Sequence, residues 1–434
     1  MPAGPRAPRS RRVRSGLALG LGTSLAAAIC GIGVADAAPA APHDPASPHG
    51  PTARHAPAAG AFVGSGETPQ ERADLASRVL GQEAEGKNLQ DAYNVGPLLQ
   101  SGNDGRGTTV ATLVSFGDKH VKQYLDDYSK KHGLPPADVE TVEPAGPVPA
   151  CEQTSTPQDC RTWGGETDLD VAMLHTLAPG AKIKVVATPT NETQGIAGFP
   201  EMMKAMDWVA DTRAANVLSL SLGTPEDDFD PKQLHQLDPH FEKAAKSGVT
   251  ITTSSGDEGA TGKRVNGQPW SKRVAGFPAV SPWVTAVGGT QLQLDAQGRR
   301  SAPDELWSRS GAGVSHEYGV PAWQRDQAKA TGAQGRSFPD VTMQGVEGTS
   351  QSAPLFAAVV DLASQRAGKP LGLVNPELYQ LGEHRAPGLV DVTKGDNSYD
   401  SVRGFQAAAG FDTVSGWGTV DAAKFVPALA RAGK

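Results

Sequence analysis

Short apolar runs alternate with longer amphipathic segments through most of the chain. The apolar runs predict buried strands at 108–114, 182–187, 216–221, 249–253 and 283–287. The segments between them predict helices at 121–132, 166–177, 200–214 and 234–247. Short buried strands joined through helices are typical of a parallel sheet that is covered on both faces. We therefore expect an α/β fold of three layers.

The first 37 residues have the features of a secretory signal peptide. Five arginines precede an apolar stretch at 16–32, and Ala35-Asp36-Ala37 matches a cleavage site. A transmembrane anchor is the alternative, but the stretch is short and rich in glycine, and no later segment reaches the length of a span. We expect a secreted protein without a membrane anchor.

The residues that follow the signal predict a linker and then one large domain. Ala, Pro, Gly and His dominate 38–66, a composition that buries little apolar surface. The capping box Thr68-Pro69-Gln70-Glu71 predicts a short helix that ends near Leu80. We expect linker and helix to occupy 38–87, and the folded domain to occupy 88–434.

The charge and the cysteines restrict the partners and the compartment. The 434 residues carry a net charge of -7, and removal of the signal lowers it to about -11. An acidic surface argues against nucleic acid as a partner, because nucleic-acid binding needs basic patches. In the exported chain Cys151 and Cys160 are expected to form a disulfide, with two free thiols as the alternative.

A serine stands at the start of an apolar helical segment. Gly348-Thr349-Ser350 comes shortly before 355–363, which predicts a buried helix. Ser350 is either an ordinary helix cap or a nucleophile that faces a cleft. No histidine lies in this motif or in the acidic motifs described next, so the base of a serine nucleophile would be a carboxylate.

Three acidic residues offer that chemistry. Glu166 and Asp170 are four residues apart on a predicted helix, so their carboxyl groups share a face and can titrate as a unit. Asp257 follows the strand 249–253, at the edge of a parallel sheet where ligand sites gather. A protonated Asp257 can donate a hydrogen bond to a developing oxyanion, which favours acidic pH. The plain alternatives are a solvated helix face for the pair and an ordinary turn for Asp257.

With these motifs in this order, the chain resembles the sedolisin family of serine-carboxyl peptidases, which share the subtilisin-like fold. The resemblance covers about 88–428, and further matching segments lie at 89–95, 277–290, 320–324 and 339–341. It implies an endopeptidase that hydrolyses proteins or peptides at acidic pH through an acyl-enzyme. We also expect the protein to be a monomer. Ser350 would be the nucleophile and Glu166 the general base and acid. Asp170 would orient Glu166, and Asp257 would complete the oxyanion hole.

The resemblance also implies one structural Ca²⁺ ion near the C-terminus. The family binds calcium with a D-[IV] dipeptide and a later G-x-D loop, which Asp391-Val392 and Gly410-Phe411-Asp412 match. The implied ligands are oxygen atoms, as a hard cation prefers. They are the carboxylates of Asp391 and Asp412 and the carbonyl oxygens of Val392, Ala408 and Gly410.

Three differences from the family pattern keep a second interpretation open. Only about fifty residues separate the signal from position 88, where relatives carry a large folded propeptide. Leu222 stands where relatives often have tryptophan, and Glu347 replaces a small residue before Gly348. The alternative is a catalytically impaired relative with a binding or structural role.

Two other hydrolase classes fit the sequence less well. A Ser-His-Asp subtilisin is disfavoured because His175, the only histidine near a motif, lacks the H-G-T-H context. An α/β-hydrolase is disfavoured because the serine motif is not G-x-S-x-G.

Overall fold

The computed structural model describes residues 84–192, 198–264, 266–295, 299–346 and 348–433. The predicted signal peptide, the linker with its short helix, and Glu347 lie outside these ranges. The organisation of the chain before residue 84 therefore stays a prediction.

A mostly parallel sheet forms the centre of the described chain. Its strands are β1 Thr109–Ser115, β2 Asp138–Val142, β3 Lys182–Thr188, β4 Val217–Leu220, β6 Thr250–Ser254, β8 Thr285–Leu294, β9 Arg300–Leu306 and β12 Val341–Gln344. The order across the sheet is β2-β3-β1-β4-β6-β8-β12, with β9 antiparallel to the outer half of β8. Three short antiparallel pairs lie outside it: β5 Thr224–Pro225 with β7 Gly276–Phe277, β10 Gly313–Val314 with β11 Ser337–Phe338, and β13 Leu389–Val390 with β14 Thr419–Val420.

Helices cover the sheet. They are α1 Gly86–Ala92, α2 Gly96–Gln100, α3 Val121–His132, α4 Pro157–Leu177, α5 Phe199–Thr212, α6 Pro231–His235, α7 Asp238–Ser247, α8 Arg325–Thr331, α9 Thr349–Ala367, α10 Asn375–Glu383 and α11 Ala422–Ala432. Helices α4 and α9 pack against each other and against the sheet, and α5 and α7 form a second such pair. Because both faces are covered, the central strands β1, β4 and β6 are buried almost throughout. The predicted α/β fold with a parallel sheet is confirmed.

The helix limits show where local sequence was a sufficient guide. Helix α3 matches the predicted 121–132 segment at both ends, with Gly133 in the left-handed conformation after it. Helix α4 ends as predicted at Leu177 but begins nine residues earlier, at Pro157. Proline is favoured in the first turn of a helix, whereas Gly164 and Gly165 weaken the helical pattern inside it.

The continuous helix predicted at 234–247 is wrong. The structure has two helices there, α6 and α7, with Leu237 at the junction. Pro239 lies in the first turn of α7. A proline in the middle of a longer helix would lose one hydrogen bond and clash with the preceding turn, so the chain starts a new helix instead.

The predicted disulfide between Cys151 and Cys160 is present, and the free-thiol alternative is wrong for this structure. The two Cα atoms are 5.4 Å apart. Cys160 lies in the first turns of α4, so the bond ties the preceding loop to the helix that carries Glu166.

None of the described helices has the continuous apolar length that a bilayer-spanning segment requires.

Candidate active site

The three sequence motifs meet at one cavity. Its volume is about 520 Å³, and Glu166, Asp257 and Ser350 all line it. Glu166 comes from α4, Asp257 from the loop after β6, and Ser350 from the first turn of α9. Strands β4 and β6 are parallel neighbours, so the loops that follow them lie at the same edge of the sheet.

Gly348 permits the segment before Ser350 to approach Asp257 closely. Gly348 precedes α9 with a φ of +147°, a backbone conformation that side chains rarely adopt. A Cβ atom at this position would lie 3.0 Å from Asp257 Oδ2. Ser350 is 8 % exposed at the wall of the cavity, so its hydroxyl is sheltered but still lines the accessible space.

A proline in α9 frees the main-chain carbonyl of Ser350. Pro354 lies inside the helix four residues after Ser350 and has no N–H to donate to that carbonyl. The hydroxyl of Ser221, just after β4, donates to the Ser350 carbonyl oxygen at 3.2 Å. The same hydroxyl lies 2.7 Å from Asp170 Oδ1, so its single hydrogen is shared between these two acceptors. Ser221 therefore connects the acidic pair with the backbone of the serine.

Glu166 is a buried acid with an incomplete set of partners. It is 4 % exposed, and among the described residues its Oε1 atom has no hydrogen-bond partner. Burial raises the pKa of Glu166 well above its usual range, and the nearby charge of Asp170 raises it further. The hydroxyls of Ser350 and Ser221 act in the opposite direction, which shows that both lie near the carboxyl group.

Asp170 lies one turn after Glu166 on α4 and is not among the residues that line the cavity. Its Oδ2 atom accepts a hydrogen bond from Thr112 on β1, and its Oδ1 atom accepts the bond from Ser221. Burial raises the pKa of Asp170, and the two hydroxyls offset part of that rise. The solvated helix face considered for this pair is thus wrong, because both carboxyl groups are buried.

Asp257 lines the cavity, and Thr349, the residue before Ser350, holds its carboxyl group in place. Its Oδ1 atom accepts hydrogen bonds from the Thr349 N–H at 2.8 Å and the Thr349 hydroxyl at 2.9 Å. Burial by the surrounding protein and the charge of Glu258 raise the pKa of Asp257 to about 6. A carboxyl group with this pKa is protonated in mild acid, where it can donate a hydrogen bond.

Sequence reasoning missed Thr112, Ser221 and Thr349 as parts of this arrangement. Thr112 and Ser221 belong to predicted strands, and Thr349 belongs to the serine motif itself. The signal in the sequence was a hydroxyl residue in or directly after an apolar strand. Which acid each hydroxyl would contact depended on the strand order, which the sequence did not give.

Leu222 and His175 have different positions relative to the cavity. Leu222 is buried and lines the cavity, where it contributes apolar surface. His175 is buried on α4, and its Nε2 atom lies 2.9 Å from the Pro135 carbonyl oxygen. It is not among the residues that line the cavity, so the structure gives no support to a Ser-His-Asp arrangement.

The carboxyl groups of Asp391 and Asp412, two of the five implied calcium ligands, both contact the loop at 408–412. Asp391 Oδ2 accepts the Gly410 N–H at 2.8 Å, and Asp412 Oδ2 accepts the Ala408 N–H at 2.7 Å. The Val392 carbonyl oxygen lies near the same group, since it accepts a 3.4 Å hydrogen bond from Ser415. The two carboxylates and the Val392 carbonyl oxygen are donors of the type that a hard cation prefers.

The described residues contain no group of three or more histidine, cysteine, aspartate or glutamate side chains that is suited to a metal. The loop offers only two carboxylates, so a cation there would depend on carbonyl oxygens for its remaining ligands.

Comparison with known families and structures gives a consistent result. Residues 100–418 match the model of the subtilase family. The solved structure of Pseudomonas sedolisin, a serine-carboxyl proteinase in complex with two molecules of pseudo-iodotyrostatin, is similar with a TM-score of 0.67 and 25% identity. That match covers 80% of this chain and 98% of the solved one. The similarity confirms the subtilisin-like fold expected from the sequence.

Similar curated proteins include kumamolisin of Bacillus sp. (strain MN-32), with 32% identity over 76% of this chain and 61% of that protein. Human tripeptidyl-peptidase 1 is 30% identical over 59% of this chain and 50% of its own length. Sedolisin of Pseudomonas sp. (strain 101) is 28% identical over 73% of this chain and 57% of its own length. The chain thus spans between half and about three fifths of the length of these relatives.

Proposed function

The chain belongs to the subtilase family, within its sedolisin group, and from that premise we propose that it is a secreted serine-carboxyl endopeptidase active in acid. The proposed substrates are proteins or peptides. Ser350 is the nucleophile, Glu166 the general base and acid, Asp170 the residue that positions and shares a proton with Glu166, and Asp257 the oxyanion donor.

The first half of the reaction forms an acyl-enzyme. Ser350 Oγ forms a bond to the carbonyl carbon of the scissile peptide while Glu166 takes the hydroxyl proton. The carbonyl electron pair moves to its oxygen, which accepts a hydrogen bond from the protonated Asp257. Because Thr349 occupies Oδ1 of Asp257, Oδ2 is the oxygen that carries this proton. The C–N bond then breaks, and Glu166 returns its proton to the leaving nitrogen.

In the second half of the reaction, water is the nucleophile and Ser350 Oγ is the leaving group. Water attacks the ester carbon on Ser350, and Glu166 takes a proton from the water. Glu166 then protonates Ser350 Oγ as the peptide acid leaves. Asp170 shares a proton with Glu166, so the proton that the pair retains can lie on either carboxyl group as Glu166 gains and returns the transferred proton.

One observation carries the proposal: a serine hydroxyl, the buried carboxyl group of Glu166 and the half-buried one of Asp257, both with raised pKa values, line the same cavity, without a histidine among its described lining residues. Buried acids with strongly shifted pKa values in a cleft are candidates for proton transfer.

The test is cleavage of a denatured protein at about pH 4 by the wild type and by Ser350→Ala. We expect the variant to lose at least about 10³-fold in kcat, since the nucleophile of such a unit cannot be replaced. Its thermal unfolding should match the wild type, because the change removes one oxygen atom at the cavity wall. Equal activity in the variant would refute the nucleophile assignment. A wild type that cleaves nothing across the pH range would favour the impaired relative with a binding role.

We also propose that one Ca²⁺ ion stabilises the loop at 408–412. Asp391, Asp412 and the carbonyl oxygens of Val392, Ala408 and Gly410 would hold it, and its role would be structural. The support is the donor set and the hydrogen bonds that already draw both carboxylates to this loop.

Thermal unfolding with and without a chelator tests the calcium proposal. At calcium concentrations about 100 times Kd, binding to the folded state alone adds about 3 kcal/mol, so chelation should lower Tm. Added Ca²⁺ should restore it, and Asp412→Asn should abolish the response. A Tm that stays the same after chelation would contradict the site.

A further inference from the structure

One buried acid at the cavity has no role in the mechanism above. Glu192 is 2 % exposed and lines the same cavity as Glu166 and Ser350. Its Oε2 atom has no hydrogen-bond partner among the described residues. A buried carboxyl oxygen without a partner is costly, so its retention at a cavity wall calls for an explanation.

No cation of the described protein compensates this carboxyl group. Burial is the cause that raises the pKa of Glu192 to about 8. The two basic residues that line the cavity are engaged elsewhere: Lys263 is 3.0 Å from Glu258, and the Arg264 guanidinium stacks on Trp270 at 3.5 Å. A positively charged ligand in the cavity would supply the partner that this carboxyl group lacks among the described residues.

The surrounding wall is acidic. Asp159 and Glu166 both line the cavity from α4, and their spacing of seven residues places them two helical turns, or about 10 Å, apart. Glu192 is fixed near this face, because its neighbour Asn191 accepts the Trp163 indole N–H at 3.1 Å and donates to Asp159 at 2.7 Å. An extended peptide covers about 10 Å in three residues.

We propose that Glu192 is a specificity-determining residue, which binds a positively charged group of the peptide substrate within about three residues of the scissile bond. The charge of the bound group lowers the pKa of Glu192 and favours its ionised form, so the preference for a cation should grow as the pH rises through the working range. Asp159 adds negative potential at the same wall. This inference rests on the proposed peptidase function for its substrate class. The cation is either a lysine or arginine side chain or the free α-amine of a short peptide.

The experiment uses a peptide that the wild type cleaves. Each position around the cleavage site carries in turn lysine or norleucine, which matches lysine in length without its charge. At one position we expect the wild type to prefer lysine by about tenfold in kcat/KM, the size of one charge-assisted hydrogen bond. In Glu192→Gln the ratio should fall close to one, while the norleucine peptide is cleaved at a rate near that of the wild type.

A matched control separates Glu192 from the other acids of the cavity. Glu258 also lines it but is paired with Lys263, so Glu258→Gln should leave the lysine-to-norleucine ratio unchanged. Peptides with a free or an acetylated α-amine distinguish the two sources of charge. If only the free-amine preference depends on Glu192, the α-amine is the bound cation.

Binding to Ser350→Ala makes the test independent of catalysis. The same lysine peptide should bind this variant about tenfold more tightly than the norleucine peptide, and Ser350→Ala with Glu192→Gln should lose that difference. This result with an inactive wild type would support the subsite while the peptidase function failed. The proposal is overturned if the wild type shows no cation preference at any position, or if the preference survives in Glu192→Gln.

Discussion

Two groups of buried acids, Asp340 on one hand and Glu166 with Asp170 on the other, differ in whether a described cation lies beside them. Asp340 is paired with Arg336 at 2.6 Å, and both side chains are fully buried. The Ala286 N–H and the Tyr379 hydroxyl complete the hydrogen bonds of Asp340 at 2.8 Å each. Glu166 and Asp170, in contrast, are surrounded by hydroxyl groups. The first carboxyl group has a cation as its partner, whereas the carboxyl groups of the second cluster have hydroxyl groups and each other.

The comparison shows that burial by itself does not make an acid functional. A buried carboxylate with an adjacent cation remains ionised and serves the fold. A buried acid beside hydroxyls and a second acid has a raised pKa, so it accepts a proton more readily than a solvated carboxylate does. Asp361 adds a further condition. Burial raises its pKa to about 7 and its partner is the Thr108 hydroxyl, but it is not among the residues that line the cavity.

The largest expected effect comes from replacing Asp170 of the Glu166–Asp170 pair with a neutral residue that cannot exchange a proton. Asp170→Asn should lower kcat by about 10³-fold, because an amide keeps the shape of the carboxyl group but cannot share a proton with Glu166. Its stability at neutral pH should not fall, since no charge is then buried there. Asp361→Asn is the matched control, and kinetics at pH 4 should show wild-type activity for it. Equal activity losses in both variants would mean that any buried acid matters through the fold.

The next effect tests the cation of the compensated cluster. Arg336→Met should lower the free energy of unfolding by about 3 to 5 kcal/mol, because it leaves Asp340 buried without its counter-charge. Denaturant unfolding at pH 7 measures this change, and the folded fraction should still cleave substrate. Arg336→Lys keeps the charge but loses the planar guanidinium. Its free energy of unfolding should lie between those of the wild type and Arg336→Met. If Arg336→Met unfolds at the same denaturant concentration as the wild type, the cation of this cluster does not stabilise the fold.

The smallest effect concerns the alkaline side of the pH profile. Asp257 donates a hydrogen bond only when protonated, and its pKa is about 6. Activity should therefore be present below pH 6 and fall as the pH rises through that value. Asp257→Asn should retain activity within about tenfold to a hundredfold at pH 4, because an amide is also a donor. It should also move the alkaline limb to higher pH. If activity falls at the same pH in Asp257→Asn as in the wild type, the group that titrates belongs to the Glu166–Asp170 pair instead.

Several parts of the fold and the site follow from local sequence. The limits of α3 and the end of α4 were predicted, since the amphipathic pattern and the C-terminal signals lie within a few residues of each other. The spacing of Glu166 and Asp170 placed both on one helical face. Ser350 was placed at the start of a buried helix, and the structure has it in the first turn of α9. The roles of these residues in catalysis remain predictions.

The break between α6 and α7 was within reach of the sequence but was missed. The apolar pattern continues across it, whereas Pro239 ends any continuous helix. Here the preference of one residue outweighed the periodicity of fourteen positions.

By itself, the sequence determined the α/β class, the family resemblance and the positions of the reacting groups along the chain, because each depends on neighbours in sequence. Only the tertiary structure decided the surroundings of those groups. It placed Thr112 and Ser221 against Asp170 from strands 58 and 51 positions away. It also gave Asp340 a cation, and it placed none of the described cations beside Glu192. The reason is physical: a pKa depends on burial and on partners, and both are set when distant segments pack together.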